Sequence, residues 1–96
     1  MEKNEERKFL KNEEKKRYEL HTKGYVAFAE YMIDNVGTVY MTHTETPIAL
    51  EGQGVASELI LKSLQDIKEQ GQKVMPLCPF VKAYIIKHPE WREIVK

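Results

Sequence analysis

The stretch Glu51-Gly52-Gln53-Gly54-Val55-Ala56 joins a threonine-rich extended segment to a long amphipathic segment. Its two glycines stand where the chain turns, and no Ser, Thr, Asp or Asn occupies the usual capping position of the helix that follows. A helix that starts without a capping side chain leaves its first backbone N–H groups available to a ligand. With the positive end of the helix dipole these groups form an anion site, which predicts phosphate binding. The alternative is a tight turn in which glycine only relieves backbone strain.

The segment after this joint has the apolar spacing of a helix that buries one face. Apolar residues recur at helical spacing from Val55 to Ile67, while charged and amide side chains occupy the remaining positions. Gly71 stands where the C′ residue of a helix belongs. We therefore expect a helix from about Gly54 to Gln70.

The C-terminal part alternates between an extended and a helical segment. Lys73 to Leu77 predicts a short strand that begins after the helix has crossed back over the sheet. Pro79 is a suitable first residue of a second helix, which His88-Pro89 interrupts. Glu90 to Val95 then predicts a last helical turn.

The segments before the joint are extended. Phe9 and Leu10 predict a short edge strand, and Arg17 to Thr22 alternates as a half-buried strand does. Tyr25 to Ile33 is apolar on both faces, which predicts a central strand covered on two sides. Thr38 to Thr46 is β-branched and aromatic and predicts the next strand. Short turns between these strands predict an antiparallel meander.

The order of strands, helix, strand and helix predicts an α+β fold with a mixed, mostly antiparallel sheet flanked by helices. The chain has 96 residues, within the range of about 50 to 250 that is usual for one domain. We therefore expect one compact domain over residues 1–96. Met1 to Lys8 is highly charged and is predicted to be frayed, because it lacks the apolar side chains that offset the entropy of ordering.

Composition excludes several classes of function. Lys plus Arg and Asp plus Glu both number 15, so the chain has no overall basic footprint for nucleic acid. It has no apolar run long enough to span a membrane, and no His, Cys, Asp or Glu pair has zinc-ligand spacing. The single cysteine, Cys78, fits a reducing compartment. We expect a cytoplasmic protein, monomeric or weakly dimeric, without membrane, nucleic acid or metal.

The strand before the joint carries candidate acid and base groups. Alternation along a regular strand would place Val39, Met41, His43 and Glu45 on one face and Tyr40, Thr42, Thr44 and Thr46 on the other. His43 could accept a proton from an amine because its ordinary pKa is near neutrality, and Glu45 could orient it or accept the proton itself. The alternative is that His43 is only a hydrogen-bonded structural residue.

A third candidate lies in Leu77-Cys78-Pro79-Phe80. If Pro79 is the first helical residue, Cys78 occupies the N-cap, where N–H dipoles favour thiolate and lower the pKa of the thiol. Cys78 could then act as a nucleophile or contact a thioester, and the alternative is a small buried apolar residue. Tyr84, on the same helix, could donate a proton to a leaving thiolate or could only pack in the core.

Together these segments resemble a known family. Ile48 to Ala56 resembles the acetyl-coenzyme A pyrophosphate loop of the GCN5-related N-acetyltransferases. From about Tyr18 to the C-terminus the chain resembles the minimal, single-domain branch of that superfamily, through this loop together with His43-Thr44-Glu45-Thr46-Pro47, Pro76 to Val81, Tyr84-Ile85 and His88-Pro89-Glu90.

The resemblance implies that the fourth strand, Thr38 to Thr46, and the fifth, Lys73 to Leu77, splay apart and that acetyl-CoA lies in the opening. The pantetheine amides would pair with the strand edge near Glu45 and Thr46, and the pyrophosphate would bind the N–H groups of Gln53 to Ala56. The implied cofactor contacts are Glu45, Thr46, Gly52, Gln53, Gly54, Val55, Ala56, Cys78 and Phe80.

The loop also departs from the family pattern. Glu51 stands where the superfamily often has Arg or Gln, and Gln53 stands where many members have a basic residue. The loop therefore has no side-chain positive charge, and backbone donors must hold the diphosphate, helped at most by a lysine from elsewhere.

The function that the resemblance implies is acetyl transfer from acetyl-CoA to an amine of a small molecule or a protein. A deprotonated amine attacks the thioester directly, with His43 or Glu45 as the base and Cys78 or Tyr84 as the acid. A rival mechanism passes the acetyl group through Cys78. A different function, CoA binding or protein interaction without catalysis, fits the small size of the chain, the absence of a basic residue in the loop and the reduced acceptor side.

Overall fold

The computed structural model describes residues 6–96, and these residues form a single five-stranded sheet with two α-helices. In chain order the elements are β1 (Lys8–Asn12), β2 (Arg17–Thr22), β3 (Tyr25–Ile33), β4 (Thr38–Glu45), α1 (Val55–Glu69), β5 (Lys73–Pro76) and α2 (Pro79–Lys87), with short 3₁₀ turns at Ile48–Leu50 and Pro89–Ile94. The strands lie side by side in chain order, antiparallel from β1 to β4 and parallel between β4 and β5. The predicted α+β class and the mostly antiparallel sheet are confirmed.

Part of the segment that the sequence predicts to be frayed is ordered in the structure. Of the segment expected to fray, residues 1–5 lie outside the described part of the chain, whereas Lys8 begins β1. Arg7 forms an ion pair of 2.7 Å with Glu58 and donates a hydrogen bond of 2.8 Å to the backbone carbonyl of Gln53. Contacts that are distant in sequence therefore hold the end of a segment whose own composition favours disorder.

One hydrophobic core lies between the sheet and the helices. Helix α1 crosses the sheet and contacts β2, β3, β4 and β5, while α2 contacts β4, β5 and α1. The core face of the sheet carries Tyr18, Leu20, Ala27, Ala29, Tyr31, Val39, Met41 and Val74, and the helices add Val55, Leu59, Ile60, Leu64, Ile67, Val81 and Ile85. Burying each leucine or isoleucine contributes about 1.5–3 kcal/mol. Within residues 6–96, neither helix has the length and apolar character that a membrane crossing requires.

The opposite face of the sheet is only partly covered. On β3, Ala27, Ala29 and Tyr31 are buried, whereas Phe28 is half-buried and Met32 is 63% exposed. The prediction that β3 is covered on two sides is therefore wrong. Its apolar residues on the second face form an exposed surface instead, and we call this surface the open face.

A β-bulge interrupts the pairing of β3 with β4. Glu30 pairs with His43, but the next residue of β3, Tyr31, pairs with Met41. Thr42 is therefore an extra residue on β4, and its hydroxyl donates a 3.4 Å hydrogen bond to the Glu30 carbonyl. Such a bulge bends its strand and redirects the side chains that follow it.

The bulge changes the faces of the residues after Thr42. Thr44 pairs with the buried Ala29 and points to the core side. The side chains of His43 and Glu45 point to the open face and are 52% and 63% exposed. The prediction that His43 and Glu45 share a face with the buried residues of β4 is therefore wrong. It assumed that side chains alternate regularly along the whole strand.

The parallel pairing of β4 with β5 is short. It covers Thr38 to Met41 of β4, and the Met41 carbonyl accepts hydrogen bonds from the N–H groups of Leu77, at 3.0 Å, and Cys78, at 2.9 Å. Beyond this point β4 continues to Glu45, while the segment that follows β5 turns into α2. The predicted splay of the fourth and fifth strands is confirmed, and it leaves the end of β4 with an edge that β5 does not pair.

Candidate functional site

The glycine joint forms an uncapped start of α1. Gly54 is the N-cap residue and has the left-handed backbone angles φ 75° and ψ 13°, and Gly52 has φ 79°. Glycine adopts such angles at low cost. The N–H groups of Val55 and Ala56 have no intrahelical acceptor, as in the first turn of any α-helix, and no side chain caps the helix. The structure thus confirms the predicted uncapped helix start, with the positive end of the helix dipole at the loop.

A cleft of about 440 Å³ opens in front of this helix start. It lies between the loop, the end of β4 and the first turn of α2, and it is lined by Thr44, Thr46, Leu50, Glu51, Gly52, Gly54, Val55, Ala56, Ser57 and Phe80. Most of the residues predicted to contact a cofactor are in this set. Ser57 and Thr44 were missed, although Ser57 directly follows the loop and its hydroxyl could have been recognised as a further donor.

Two basic residues support the loop from distant parts of the chain. The Gln53 side chain accepts a 2.9 Å hydrogen bond from Nζ of Lys23 and donates one of 3.0 Å to the Ala49 carbonyl. Arg7 binds the Gln53 carbonyl and also Glu58, in the first turn of α1. Positive charge is therefore present at a loop that carries none in its own sequence. No local pattern reveals it, because Lys23 lies 30 residues and Arg7 46 residues from Gln53.

The negative charge of Glu58, which would repel an anion at the start of α1, is paired with two cations. Burial raises the pKa of Glu58, but hydrogen bonds from Arg7 and Lys62 outweigh burial and lower it. Glu58 is therefore a paired carboxylate at neutral pH. Its pairing with Arg7, at 2.7 Å, and Lys62, at 3.0 Å, reduces its repulsion of a ligand phosphate at the helix start.

Cys78 does not itself line the cleft but contacts Thr44 of its wall. It is the N-cap residue of α2, with Pro79 as the first helical residue, and is 4% exposed. Its Sγ forms a 3.3 Å hydrogen bond with Oγ1 of Thr44, which lines the cleft. Burial alone would raise the pKa of the thiol, but Thr44 and the N–H groups of Val81 and Phe80 outweigh it, so the pKa lies below its usual value. This confirms the N-cap position and the predicted direction of the shift.

His43 and Glu45 form a second group on the other side of the sheet. His43 Nε2 lies 3.6 Å from Glu45 Oε2, so the two side chains form an ion pair when His43 is charged. The His43 ring also lies 6.4 Å, centroid to centroid, from the ring of Phe28 on the open face. The structure therefore brings His43 and Glu45 together but points both side chains away from the face on which Thr44 meets Cys78. The Glu45 side chain does not line the cleft, and backbone pairing of Glu45 with a cofactor stays a prediction.

Tyr84 is a buried residue of α2. Its ring centroid lies 4.3 Å from that of His88, and burial and the nearby Glu90 carboxylate raise the pKa of its phenol. Within residues 6–96 no hydrogen bond joins Tyr84 to Cys78. Its role as a proton donor stays a prediction, and the same part of the chain holds no cluster of three His, Cys, Asp or Glu residues that could bind a metal ion.

The family model described as GCN5-related N-acetyl-transferase matches residues 17–94. The matched region contains β2 to β5, both helices, the glycine joint and the splay. It excludes β1 and Arg7, so the basic support that Arg7 gives the loop lies outside the part of the chain shared with the family model. The resemblance to this family and the mostly antiparallel α+β fold expected from it are confirmed, while the mark of the minimal branch in Pro76 to Val81 stays a prediction.

Proposed function

Since this chain belongs to the GCN5-related N-acetyltransferase family, we propose that it transfers an acetyl group from acetyl-CoA to an amine of a small molecule or a protein. The observation that carries the proposal is the continuity of the cleft. It extends from the uncapped start of α1 to the end of β4, beside the Thr44–Cys78 hydrogen bond. An anion site at one end and an unpaired strand edge at the other match the two polar parts of coenzyme A.

In this proposal the diphosphate binds the helix start. The N–H groups of Gly54 to Ala56 donate to phosphate oxygens, and the dipole of α1 favours their charge. Ser57 adds a hydroxyl donor from the cleft wall. Arg7 and Lys23 supply a positive potential from behind the loop. The pantetheine amides pair with the edge of β4 near Glu45 and Thr46, which β5 leaves open.

The chemical step places the thioester at the opening between β4 and β5. The amine nitrogen attacks the acetyl carbonyl carbon, a C–N bond forms, the C–S bond breaks and CoA leaves as a thiolate. The amine gives up one proton to His43, supported by Glu45, and the thiolate takes one proton from the Cys78 thiol or from water. Backbone N–H groups at the edge of β4 polarise the carbonyl.

Two alternatives follow from the same site. In a covalent mechanism the Cys78 thiolate takes the acetyl group first and the amine attacks the resulting thioester. The lowered pKa of Cys78 favours this route, whereas its burial opposes it. In a non-catalytic protein the cleft binds CoA without turnover, which the exposure of His43 and Glu45 to solvent favours.

The test combines binding with turnover. A ligand that binds only the folded protein stabilises it by about 2.7 kcal/mol at a concentration of about 100 Kd, which raises the midpoint of a domain this small by roughly 10 °C or more. We expect both acetyl-CoA and CoA to do so, and we expect CoA thiol to be released when a primary amine is added. Absence of stabilisation would contradict the proposal, and stabilisation without transfer to any amine would favour the non-catalytic alternative.

A further inference from the structure

A groove of about 300 Å³ lies on the open face of the sheet, away from α1 and from the cleft. Its lining residues are Met32, Ile33, Asp34, Tyr40, Thr42 and Leu77. Met32 is 63% exposed and Leu77 is 50% exposed. Exposed apolar side chains that adjoin one another commonly mark a binding surface.

The polar groups of this groove are already engaged within the protein. Asp34 Oδ1 accepts hydrogen bonds from the N–H groups of Val36, at 3.0 Å, and Thr38, at 2.9 Å. Its other oxygen accepts a 3.0 Å hydrogen bond from the Tyr40 hydroxyl. The Thr42 hydroxyl donates to a backbone carbonyl of β3. What the groove offers a ligand is therefore mainly apolar surface, and a polar ligand would lose hydrogen bonds to water without replacing them.

The groove begins where β4 and β5 separate. Thr42 directly follows Met41, the last residue of β4 that accepts hydrogen bonds from the β5 side, and Leu77 donates one of those bonds. Cys78 follows Leu77 and turns to the other side of the sheet, towards the cleft. His43 follows Thr42 and has its side chain on the open face. The groove and the cleft thus lie on opposite sides of one opening, with the candidate base on the groove side.

We infer that this groove binds an apolar part of the acceptor amine. The protein acetylates amines that carry an aliphatic or aromatic group of about side-chain size, and it discriminates against amines whose substituents are polar or charged. The acceptor lies on the open face, its nitrogen passes His43 and reaches the thioester through the opening, and its apolar part packs on Met32, Tyr40 and Leu77. The inference rests on the proposed acetyl transfer and adds to it the class of acceptor.

The test is a series of linear primary alkylamines of increasing length, with matched amines that end in a hydroxyl or a second amino group. Linear alkylamines keep nearly the same basicity as they lengthen. Differences in kcat/KM at saturating acetyl-CoA therefore report on how the alkyl group of the amine binds. Each CH₂ group that enters the groove raises kcat/KM about fourfold, the factor that corresponds to about 0.8 kcal/mol. The increase ends when the groove is filled, and the matched polar amines fall below the alkylamines of equal length.

Two substitutions test whether the dependence of kcat/KM on amine length arises in this groove. Met32→Ser and Leu77→Ser flatten the dependence of kcat/KM on the length of the amine, while the KM for acetyl-CoA stays close to that of the unmodified protein, because neither residue lines the cleft. Ile86→Ser is the matched control, because Ile86 is an exposed apolar residue of α2 that does not line this groove. It leaves the dependence on length unchanged.

The possible failures are distinguishable. A protein that acetylates short, long and polar amines equally well would overturn this inference and leave the proposed function standing. A protein that binds acetyl-CoA but acetylates none of these amines would overturn the inference, and failure with protein amines as well would overturn the proposed function. A dimer in solution that becomes a monomer in the Met32→Ser variant would also overturn the inference, because a second copy of the chain would then occupy the groove.

Discussion

The thiol of Cys78 and the hydroxyl of Thr44 meet across the opening between β4 and β5, with Sγ and Oγ1 3.3 Å apart. Thr44 is on the last part of β4, and Cys78 caps α2. The contact therefore exists only because β4 and the chain after β5 diverge at this level. Through this contact, Thr44 in the wall of the cleft influences the protonation of the Cys78 thiol.

The first prediction concerns this contact. Replacing Thr44 by Val removes the hydroxyl while keeping the side-chain shape, so we expect the pKa of Cys78 to rise. The measurement is the pH dependence of the thiolate absorbance, with the Cys78→Ala protein subtracted to remove the tyrosine contribution. Thr22→Val is the control, since Thr22 is also buried and its Oγ1 has no hydrogen-bond partner within the described residues. An unshifted titration in Thr44→Val would show that backbone N–H groups, and not the Thr44 hydroxyl, lower the pKa of Cys78.

The second prediction separates the two mechanisms. Cys78→Ala is expected to keep its affinity for acetyl-CoA and to retain acetyl transfer at a reduced rate, because direct attack by the amine needs no acetyl-cysteine. Loss of one general acid lowers the rate by about 10²–10⁴-fold at most. The measurement is steady-state turnover, together with mass spectrometry of the unmodified protein after mixing with acetyl-CoA alone. Detection of an acetylated Cys78 that disappears on adding amine would refute direct transfer.

The third prediction tests the loop. Gly54→Ala places a methyl group on a residue at φ 75°, in front of the helix start where the diphosphate must approach the backbone closely. We expect CoA affinity to fall about tenfold, equivalent to about 1.4 kcal/mol. Gly71→Ala is the matched control, because Gly71 has φ 72° beyond the other end of the same helix. Both variants lose about 1–2 kcal/mol of stability, and only the first is expected to lose affinity in a calorimetric titration.

The fourth prediction concerns the charge behind the loop. Arg7→Gln removes a cation that contacts Gln53 and Glu58, so the Glu58 carboxylate near the diphosphate keeps Lys62 but loses one of its two paired cations. We expect CoA affinity to fall by about fivefold, roughly 1 kcal/mol, at low ionic strength. The loss should shrink as salt is added, because exposed charges are screened. Arg92→Gln, in the C-terminal 3₁₀ turn, should change neither the affinity nor its salt dependence, and equal losses in both variants would contradict a local role for Arg7.

The fifth prediction concerns pH and stability. Burial raises the pKa of Glu19, but hydrogen bonds from His21, Arg17 and Asn12 outweigh it and lower the pKa from an ordinary 4.5 to about 2. A carboxyl group whose pKa is lower in the folded state stabilises the fold above its unfolded pKa. This contribution, roughly 3 kcal/mol at neutral pH, is lost as the pH falls from 4.5 to about 2.

Urea unfolding of Glu19→Gln checks this dependence. The variant should be less stable than the unmodified protein at neutral pH, and the difference should shrink as the solution is acidified. Glu69→Gln is the control, since Glu69 is exposed at the end of α1. A difference that stays constant with pH would mean that Glu19 acts through its shape and not through its charge.

Much of the fold could be predicted because its determinants are local. The glycines at 54 and 71 and the apolar spacing between them define α1, and the structure places that helix at Val55–Glu69. Pro79 starts α2, as predicted, so Cys78 had to be its cap. The order of strands and helices likewise follows from segments that each show their own periodicity.

The faces of β4 could not be predicted in the same way. Nothing in the residues around Thr42 indicates an extra residue in the strand, because a bulge is a property of the pairing between two strands. The pairing of Glu30 with His43 and of Tyr31 with Met41 moves His43 to the open face. The sequence therefore singled out His43 as a candidate base but placed its side chain on the wrong side of the sheet.

The sequence by itself determined the elements, the uncapped helix start and the family, because glycine angles, proline positions and apolar spacing act over a few residues. Only the tertiary structure decided that Arg7 and Lys23 support the loop and that Thr44 meets Cys78. It also placed an apolar groove on the same face of the sheet as His43, opposite the cleft. These contacts join segments that are distant in the chain. Their geometry depends on strand register and on the divergence of β4 and β5, and local sequence does not encode either one.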